Sequence, residues 1–154
     1  MLSHLTESGN PQMVDVSGKP VTSRQATAQG LLKITDDHRN ALASLPKGDA
    51  LTVAQVAGIQ GGKRCSELIP LCHQIPLSKL DVAITLTDEG IAIEATAKTE
   101  AQTGVEMEAY TAVVVAGITL IDMLKGVDPD LTLTDVQLVS KTGGKADWKR
   151  ESAS

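Results

Sequence analysis

The feature that most constrains the fold is a pair of alternating segments joined by a short polar break. Apolar side chains occupy every second position of the first segment, at Leu80, Val82, Ile84 and Leu86. After the break at 88–90, apolar residues again recur at every second position, beginning with Ile91. Since successive side chains of a strand point to opposite faces, the pattern predicts two half-buried strands in a β-hairpin.

Three further elements are predicted before the hairpin. Residues 21–34 are rich in threonine and loosely alternating, which predicts a strand. Residues 35–45 and 52–59 each begin with threonine, a favoured N-cap, and predict two helices. The second of these helices is predicted to end at Gly61 and Gly62.

Two elements are predicted after the hairpin. Residues 106–125 predict a third helix, and its middle, 112–121, is apolar on every side. That stretch is shorter than the roughly 20 residues a membrane span needs, which favours a buried core helix. A last strand is predicted at 131–140, with a bulge near Thr134 and Asp135 because the inward phase slips there.

This order of elements predicts an α+β fold with an antiparallel sheet packed on helices. It is the ferredoxin-like βαββαβ order with an extra helix in the first crossover. We expect one domain at 13–146, a flexible N-terminal arm at 1–12 and a flexible tail at 147–154. The open face of the sheet and the all-round apolar helix both need cover, so we expect self-association.

Composition narrows the class of function and the compartment. The chain has 154 residues, a net charge of −5 and 1% aromatic residues, which disfavours a nucleic-acid partner. With two cysteines and no basic-then-apolar leader at its start, we expect a cytoplasmic protein in a reducing compartment, away from membranes.

Basic residues concentrate in glycine-containing breaks. Glycine lets backbone N–H groups approach a ligand, and an adjacent cation adds charge, so such breaks suit phosphate. The alternative is that lysine and glycine are simply common in solvated loops. The basic residues of these breaks are Lys47, Lys63, Arg64, Lys141 and Lys145.

Asp122 and Lys125 lie one helical turn apart near the end of the apolar helix. Asp122 aligns with Thr111, Val115 and Ile118 on a stripe that we expect to be buried. A buried carboxylate needs a partner, and the lysine can pair with it and act as a proton donor. The alternative is that Lys125 caps the negative helix end and Asp122 is only its ion-pair partner.

His73 lies in an apolar loop between two prolines, where it is either a structural residue or an acid–base group. Glu106 and Glu108 fall in a first helical turn, where acidic residues complement the helix dipole without any further role. Cys65 and Cys72 do not have the spacing of metal ligands, so no metal site is predicted.

Several of these segments together resemble the MoaC family, in order and over nearly the whole chain. Two of them are long and chemically unusual: the segment that ends in Leu-Cys-His at 71–73, and Gly-Val-Glu-Met-Glu-Ala at 104–109. The matching segments are 13–16, 47–49, 57–60, 63–64, 66–73, 103–109, 122–125 and 141–145.

The resemblance implies an activity in molybdenum-cofactor biosynthesis. Members of the family convert 3′,8-cyclo-7,8-dihydro-GTP, made by a radical-SAM partner enzyme, into cyclic pyranopterin monophosphate and pyrophosphate. The resemblance also implies a homohexamer, a trimer of dimers, with the site at a dimer interface. No cofactor is expected, although Mg²⁺ on the substrate phosphates is compatible with this chemistry.

The resemblance also implies roles for individual residues. Asp122 and Lys125 match the acid–base pair of the family's active site. The residues that match substrate-binding positions are Lys47, Lys63, Arg64, Leu71, Cys72, His73, Glu106, Met107, Glu108, Lys141 and Lys145.

Two other classes of function stay open at this point. One is a non-catalytic ferredoxin-like regulatory module that senses a nucleotide. The other is a structural oligomer, in which the basic segments would be exposed and far from one another. The site residues converge across a subunit boundary only if the chain is an enzyme of the expected kind.

Overall fold

The computed structural model describes residues 3–45 and 49–152. The predicted elements occur in the predicted order, and a short helix before the hairpin and a two-residue last strand occur in addition. The elements are β1 (Thr22–Lys33), α1 (Asp36–Ala41) with a 3₁₀ turn (Leu42–Ser44), α2 (Ala50–Lys63), α3 (Cys65–Leu68), β2 (Leu77–Thr87), β3 (Gly90–Ala101), α4 (Glu106–Leu124), β4 (Thr132–Thr142) and β5 (Trp148–Lys149).

The strands form one antiparallel sheet in the order β2-β3-β1-β4-β5. The first four of these strands have the arrangement of a ferredoxin-like fold, so the predicted α+β class is confirmed. The hairpin of β2 and β3 lies at one edge, and α1 and α2 both lie in the first crossover, as expected.

The core lies between the sheet and two helices, α4 and α2. Half of its buried apolar residues are alanine, whose small size lets the backbones approach closely. By length and composition α4 could cross a membrane, yet 56% of its apolar window is buried inside the fold. The helix is therefore the central core helix, as its all-round apolar sequence predicted.

The predicted bounds of α2 were wrong at both ends. The helix begins at Ala50, because Asp49 accepts hydrogen bonds from the N–H groups of the first turn. It also continues through Gly61 and Gly62 to Lys63. These two glycines are part of the helix because they let it pack closely on α4. A Cβ on Gly61 would lie 2.6 Å from the side chain of Val115 on α4. The segment 61–64 is therefore the packed end of a helix and its C-cap. It is not a glycine-rich loop that could bind an anion.

The predicted bulge in β4 is confirmed. The register of β4 with β1 shifts between Gln29 and Leu31, opposite Asp135, whose φ is 54°. An extra residue in one strand bends it locally, which accounts for the slipped phase. Beyond β4 the chain turns back, and β5 pairs with Ser140 and Lys141. The flexibility of the segments at 1–12 and 147–154 stays a prediction.

Candidate functional site

An apolar cleft of about 700 Å³ lies beside the N-terminal end of α4. One wall is the loop that follows α3, and the other is the first turn of α4. The cleft is lined by His4, Pro11, Ile69, Pro70, Leu71, Cys72, His73, Thr103, Gly104, Glu106 and Met107. Five predicted substrate-binding residues, Leu71, Cys72, His73, Glu106 and Met107, are therefore brought together here.

A second, basic cleft of about 750 Å³ adjoins the first and shares His4, Gly104 and Glu106 with it. The cations that line it are Lys19, Arg24, Lys141 and Lys145. Nζ of Lys141 lies 3.8 Å from Oε1 of Glu106, so an ion pair connects the two clefts. An apolar surface next to clustered cations suits a flat organic group that carries phosphates.

Lys19 and Arg24 were not predicted. Lys19 follows Gly18, the same pattern that marked the other basic breaks, whereas no such pattern marks Arg24. Nε and Nη2 of Arg24 donate to the carbonyls of Ala101 and Gln102, at 3.2 and 3.4 Å, which fixes its orientation. Gly143 brings the 141–145 segment against this arginine. Its φ is +86°, and a Cβ there would lie 1.9 Å from the carbonyl oxygen of Ser23, so only glycine fits.

His73 is held by the segment before β1. Its Nε2 lies 2.6 Å from the carbonyl oxygen of Val14. A carbonyl only accepts, so Nε2 is the ring nitrogen that donates to Val14, and Nδ1 takes no part in this bond. Next to it, hydrogen bonds from the hydroxyl and N–H of Ser17 lower the pKa of Asp15, and attraction to His73 adds a smaller contribution.

Glu108 is 3% exposed and points inward from the first turn of α4. Burial raises its pKa above the ordinary carboxyl value. Together with Lys63 and His73 it lines a small cavity of about 80 Å³. The helix dipole does not require burial of an acidic residue, so the simple dipole interpretation does not account for Glu108.

Two cysteines adjoin this glutamate. Sγ of Cys65 lies 3.8 Å from Sγ of Cys72, and Thr111 donates a hydrogen bond to Cys65 at 3.3 Å. Both thiols are free. Burial and then the charges of Glu108 and Cys65 raise the pKa of Cys72 to about 12, so it is a protonated thiol at neutral pH.

Asp122 and Lys125 lie at the other end of α4, away from the clefts described above. Nζ of Lys125 donates to Oδ1 of Asp122, and the side chains are 59% and 55% exposed. The predicted stripe is buried at Thr111, but the expectation was wrong at its C-terminal end, since Ile118, one turn before Asp122, is 56% exposed. At about 1.5 Å per residue, Asp122 lies about 21 Å along the helix from Glu108.

The remaining predicted cations have different placements. Lys63 is the last residue of α2 and borders the small cavity with His73 and Glu108. Arg64 follows it as the C-cap and lines none of the clefts described above. Lys47 lies outside the described residues. Within the described part of a single chain, the predicted substrate-binding residues other than Arg64 line these three neighbouring cavities, and the predicted acid–base pair does not join them.

Comparison with known proteins agrees with the resemblance read from the motifs. The sequence model of the MoaC family matches residues 13–144. The chain is 48% identical to the cyclic pyranopterin monophosphate synthase of Peptoclostridium acidaminophilum, over 97% of this chain and 98% of that protein. It is 49% identical to the protein of the same name from Corynebacterium glutamicum strain R, over 96% of each.

A longer relative shows the same similarity. The chain is 49% identical to the molybdenum cofactor biosynthesis protein 1 of Drosophila melanogaster, over 97% of this chain and 27% of that protein. The family match includes the loop at 71–73, the first turn of α4 and the start of the segment at 141–145. With the whole domain matched and relatives of equal length near half identity, the chain belongs to the MoaC family.

Proposed function

We propose that this chain catalyses the formation of cyclic pyranopterin monophosphate in molybdenum-cofactor biosynthesis. Its substrate is 3′,8-cyclo-7,8-dihydro-GTP, and pyrophosphate is the second product, which makes the reaction a phosphorus–oxygen lyase reaction. The observation that carries the proposal is the pair of adjoining clefts, one apolar and one basic, that share Glu106 at the N-terminal end of α4. Relatives at about half identity bear the name of this activity.

The two clefts divide the substrate between them. The basic cleft offers four cations to a triphosphate, and Arg24 presents a guanidinium whose other N–H groups are already bound to backbone carbonyls. The apolar cleft holds the purine-derived ring between Met107 and the loop at His73. Nδ1 of His73 is then the ring nitrogen that can accept a proton or a hydrogen bond from substrate.

The chemistry needs proton transfer and charge neutralisation. Rearrangement of the purine ring breaks and re-forms C–N bonds, so protons move on and off nitrogen and carbon, and Lys125 with Asp122 performs this work. A substrate hydroxyl then attacks the α-phosphorus, losing its proton as pyrophosphate leaves with the bonding electron pair. The cations of the basic cleft stabilise the charge that develops on the leaving group.

A second copy of the chain completes the site. A straight helix holds Asp122 about 21 Å from Glu108, so one chain cannot bring both residues to the reacting ring of one substrate. Apolar side chains close to the pair in the chain are exposed, Ile118 at 56% and Val127 at 41%. We propose that this face packs on another subunit within a homohexamer, a trimer of dimers, and delivers Lys125 to that subunit's clefts.

The reaction also needs a source of substrate and a suitable compartment. The substrate comes from a radical-SAM enzyme, the compartment is the cytoplasm, and no nucleic acid or membrane takes part. The reaction moves protons and a phosphoryl group with no net oxidation, so it calls for no redox cofactor. Mg²⁺ would enter on the phosphates of the substrate.

Turnover separates this proposal from a nucleotide-sensing module. The purified oligomer is mixed with the cyclo-dihydro-GTP substrate, and released pyrophosphate and cyclic pyranopterin monophosphate are quantified together. We expect both products in equal amounts, and no pyrophosphate from GTP, which lacks the cyclised ring. Tight binding of the substrate without either product would instead support the sensing module.

A further inference from the structure

A cluster of three metal-ligating side chains lies behind the wall of the apolar cleft. Cys65 begins α3, Cys72 lies in the loop that follows, and Glu108 points inward from α4. Their sulfur and oxygen atoms all lie within 4.8 Å of one another. Sγ of Cys72 is 3.8 Å from Sγ of Cys65 and 3.8 Å from Oε1 of Glu108.

The distances match those of a bound metal ion. Zinc–thiolate bonds are about 2.3 Å long, and at a tetrahedral angle two such ligands are separated by about 3.8 Å. The sulfur atoms of Cys65 and Cys72 already have this separation. A disulfide would require them to approach to about 2.05 Å, so the observed spacing fits two thiolates on one ion better than a bond between them.

A second observation points to a ligand at the same place. Oε2 of Glu108 is buried and has no hydrogen-bond partner among the described residues. Buried polar atoms nearly always have a partner, and a carboxylate oxygen without one carries a desolvation cost. The small cavity lined by Glu108, Cys65 and His73 adjoins this group and leaves room for a fourth ligand.

We propose that Cys65, Cys72 and Glu108 bind one thiophilic divalent cation of the Zn²⁺ class per chain, with the fourth position open toward the small cavity. Three protein ligands and one open position are the arrangement of zinc sites that keep a place for water or a substrate atom. On binding, each thiol releases its proton to solvent, and no oxidant is involved. The site does not depend on the proposed reaction.

A bound ion would hold the loop of the apolar cleft in place. Cys72 belongs to the loop that forms one wall of the apolar cleft, and Glu108 belongs to the helix on the other side. An ion between them ties loop and helix together, and so fixes the position of the neighbouring His73. Loop position would then be governed by metal occupancy as well as by the hydrogen bond from His73 to Val14.

Cobalt and cadmium spectra test the site directly. The intact oligomer is reduced with a phosphine, stripped of metal with a chelator, exchanged into buffer and titrated with Cd²⁺ or Co²⁺. We expect a thiolate-to-metal charge-transfer band that saturates at one ion per chain, and visible Co²⁺ bands of tetrahedral intensity. The chain has only two cysteines, so this band reports on Cys65 and Cys72 alone.

Two variants assign the ligands, and a third is the control. Cys65→Ser should leave about half of the charge-transfer intensity, because only one thiolate remains. Glu108→Gln should keep the band while weakening Zn²⁺ competition by about tenfold or more. The control is Glu67→Gln, which removes an exposed acid two residues from Cys65 and should change neither.

Two outcomes would overturn the proposal. One is the absence of a charge-transfer band from the reduced wild-type protein at saturating Cd²⁺. The other is a full-strength band in Cys65→Ser, which would place the metal elsewhere. The wild-type titration is decisive even if a variant fails to fold, and circular dichroism identifies that case.

Discussion

The two ends of α4 differ in nearly every physical respect. At its N-terminal end Glu108 is 3% exposed, carries a raised pKa and faces the loop of the apolar cleft. At its C-terminal end Asp122 and Lys125 form an ion pair whose side chains are 55% and 59% exposed. One end forms the wall of a pocket, and the other carries an ion pair on an exposed surface.

The length of α4 keeps these two groups of residues apart within one chain. A helix is stiff, so the spacing between its ends cannot be closed by motion within one chain. Exposed ion pairs stabilise a fold by about 1 kcal/mol or less, so stability gives little reason for Asp122 and Lys125. We propose instead that they act on the site of another subunit, and the predictions below test that difference.

The largest effect is expected at the exposed end. Lys125→Ala should lower kcat by about 100- to 10,000-fold, because a proton donor of the reaction is lost. The free energy of unfolding should change by less than about 1 kcal/mol. Pyrophosphate release and urea denaturation measure the two quantities on the same preparation.

The chain offers a matched control for that variant. Lys79 pairs with Asp81 at 3.0 Å, with side chains 53% and 61% exposed, so its environment resembles that of Lys125. Lys79→Ala should leave turnover unchanged. Equal activity in the Lys79→Ala and Lys125→Ala proteins would remove the acid–base role from the pair at the end of α4.

A smaller effect is expected in the basic cleft. Lys145→Ala should raise KM for the triphosphate substrate by about tenfold or more, since a charged hydrogen bond contributes about 1.5–3 kcal/mol. Lys149, on β5 and outside the lining of that cleft, is the control. If Lys149→Ala raises KM as much, general surface charge and not the cleft attracts the phosphates.

A larger residue where α2 packs on the middle of α4 should lower the free energy of unfolding. A Cβ on Gly58 would lie 2.9 Å from the carbonyl oxygen of Ala112 on α4, and backbone cannot yield cheaply. Gly58→Ala should therefore lower the free energy of unfolding by about 1–3 kcal/mol. Gly126→Ala, where nothing lies within 4 Å, should change it by less than about 0.5 kcal/mol. Similar losses in both would argue against close packing of α2 on α4.

The smallest effect is expected in the pH dependence of stability, through Glu108 at the buried end of α4. Burial raises the folded-state pKa of Glu108 above its ordinary value of 4.5, so the folded chain holds this proton more tightly than the unfolded chain does. The stabilisation that the protonated Glu108 carboxyl gives the folded chain is fully present below pH 4.5, and it is lost as the pH rises through the folded-state pKa. Glu108→Gln cannot ionise, so its stability relative to wild type should increase with pH.

Denaturation midpoints at several pH values, in chelator and without added metal, measure this effect. Asp122→Asn is the comparison at the other end of α4, because an exposed carboxylate has no desolvation cost to relieve. A stability difference between Glu108→Gln and wild type that stays constant with pH would mean that the carboxyl titrates as it does in water.

The fold could be predicted largely from periodicity. The alternation before and after the break at 88–90 predicted the hairpin, and the all-round apolar sequence of 112–121 predicted the core helix. The slipped phase within 131–140 predicted the bulge at Asp135. The bounds of α2 were wrong because glycine has two uses that a single sequence does not separate. Gly61 and Gly62 were interpreted as a helix stop, whereas they admit the side chain of Val115 and the backbone of Glu108.

The site was predictable only in part, for a related reason. Motif segments marked the loop at His73 and the first turn of α4, and these do meet. Arg24 and Lys19 reach the basic cleft through sheet register and loop packing, which local spacing does not encode. Cys65 and Cys72 likewise lack metal-ligand spacing in sequence, yet the turn after α3 brings their sulfur atoms to 3.8 Å.

The most direct test of the account mixes two defective subunits. Chains with Lys125→Ala and chains with His73→Ala are co-expressed with different tags, and mixed oligomers are isolated. If each site combines Lys125 of one chain with His73 of another, random pairing restores intact sites and about a quarter of wild-type turnover. Activity no greater than that of the two inactive parents would contradict a shared site and return the chemistry to a single chain.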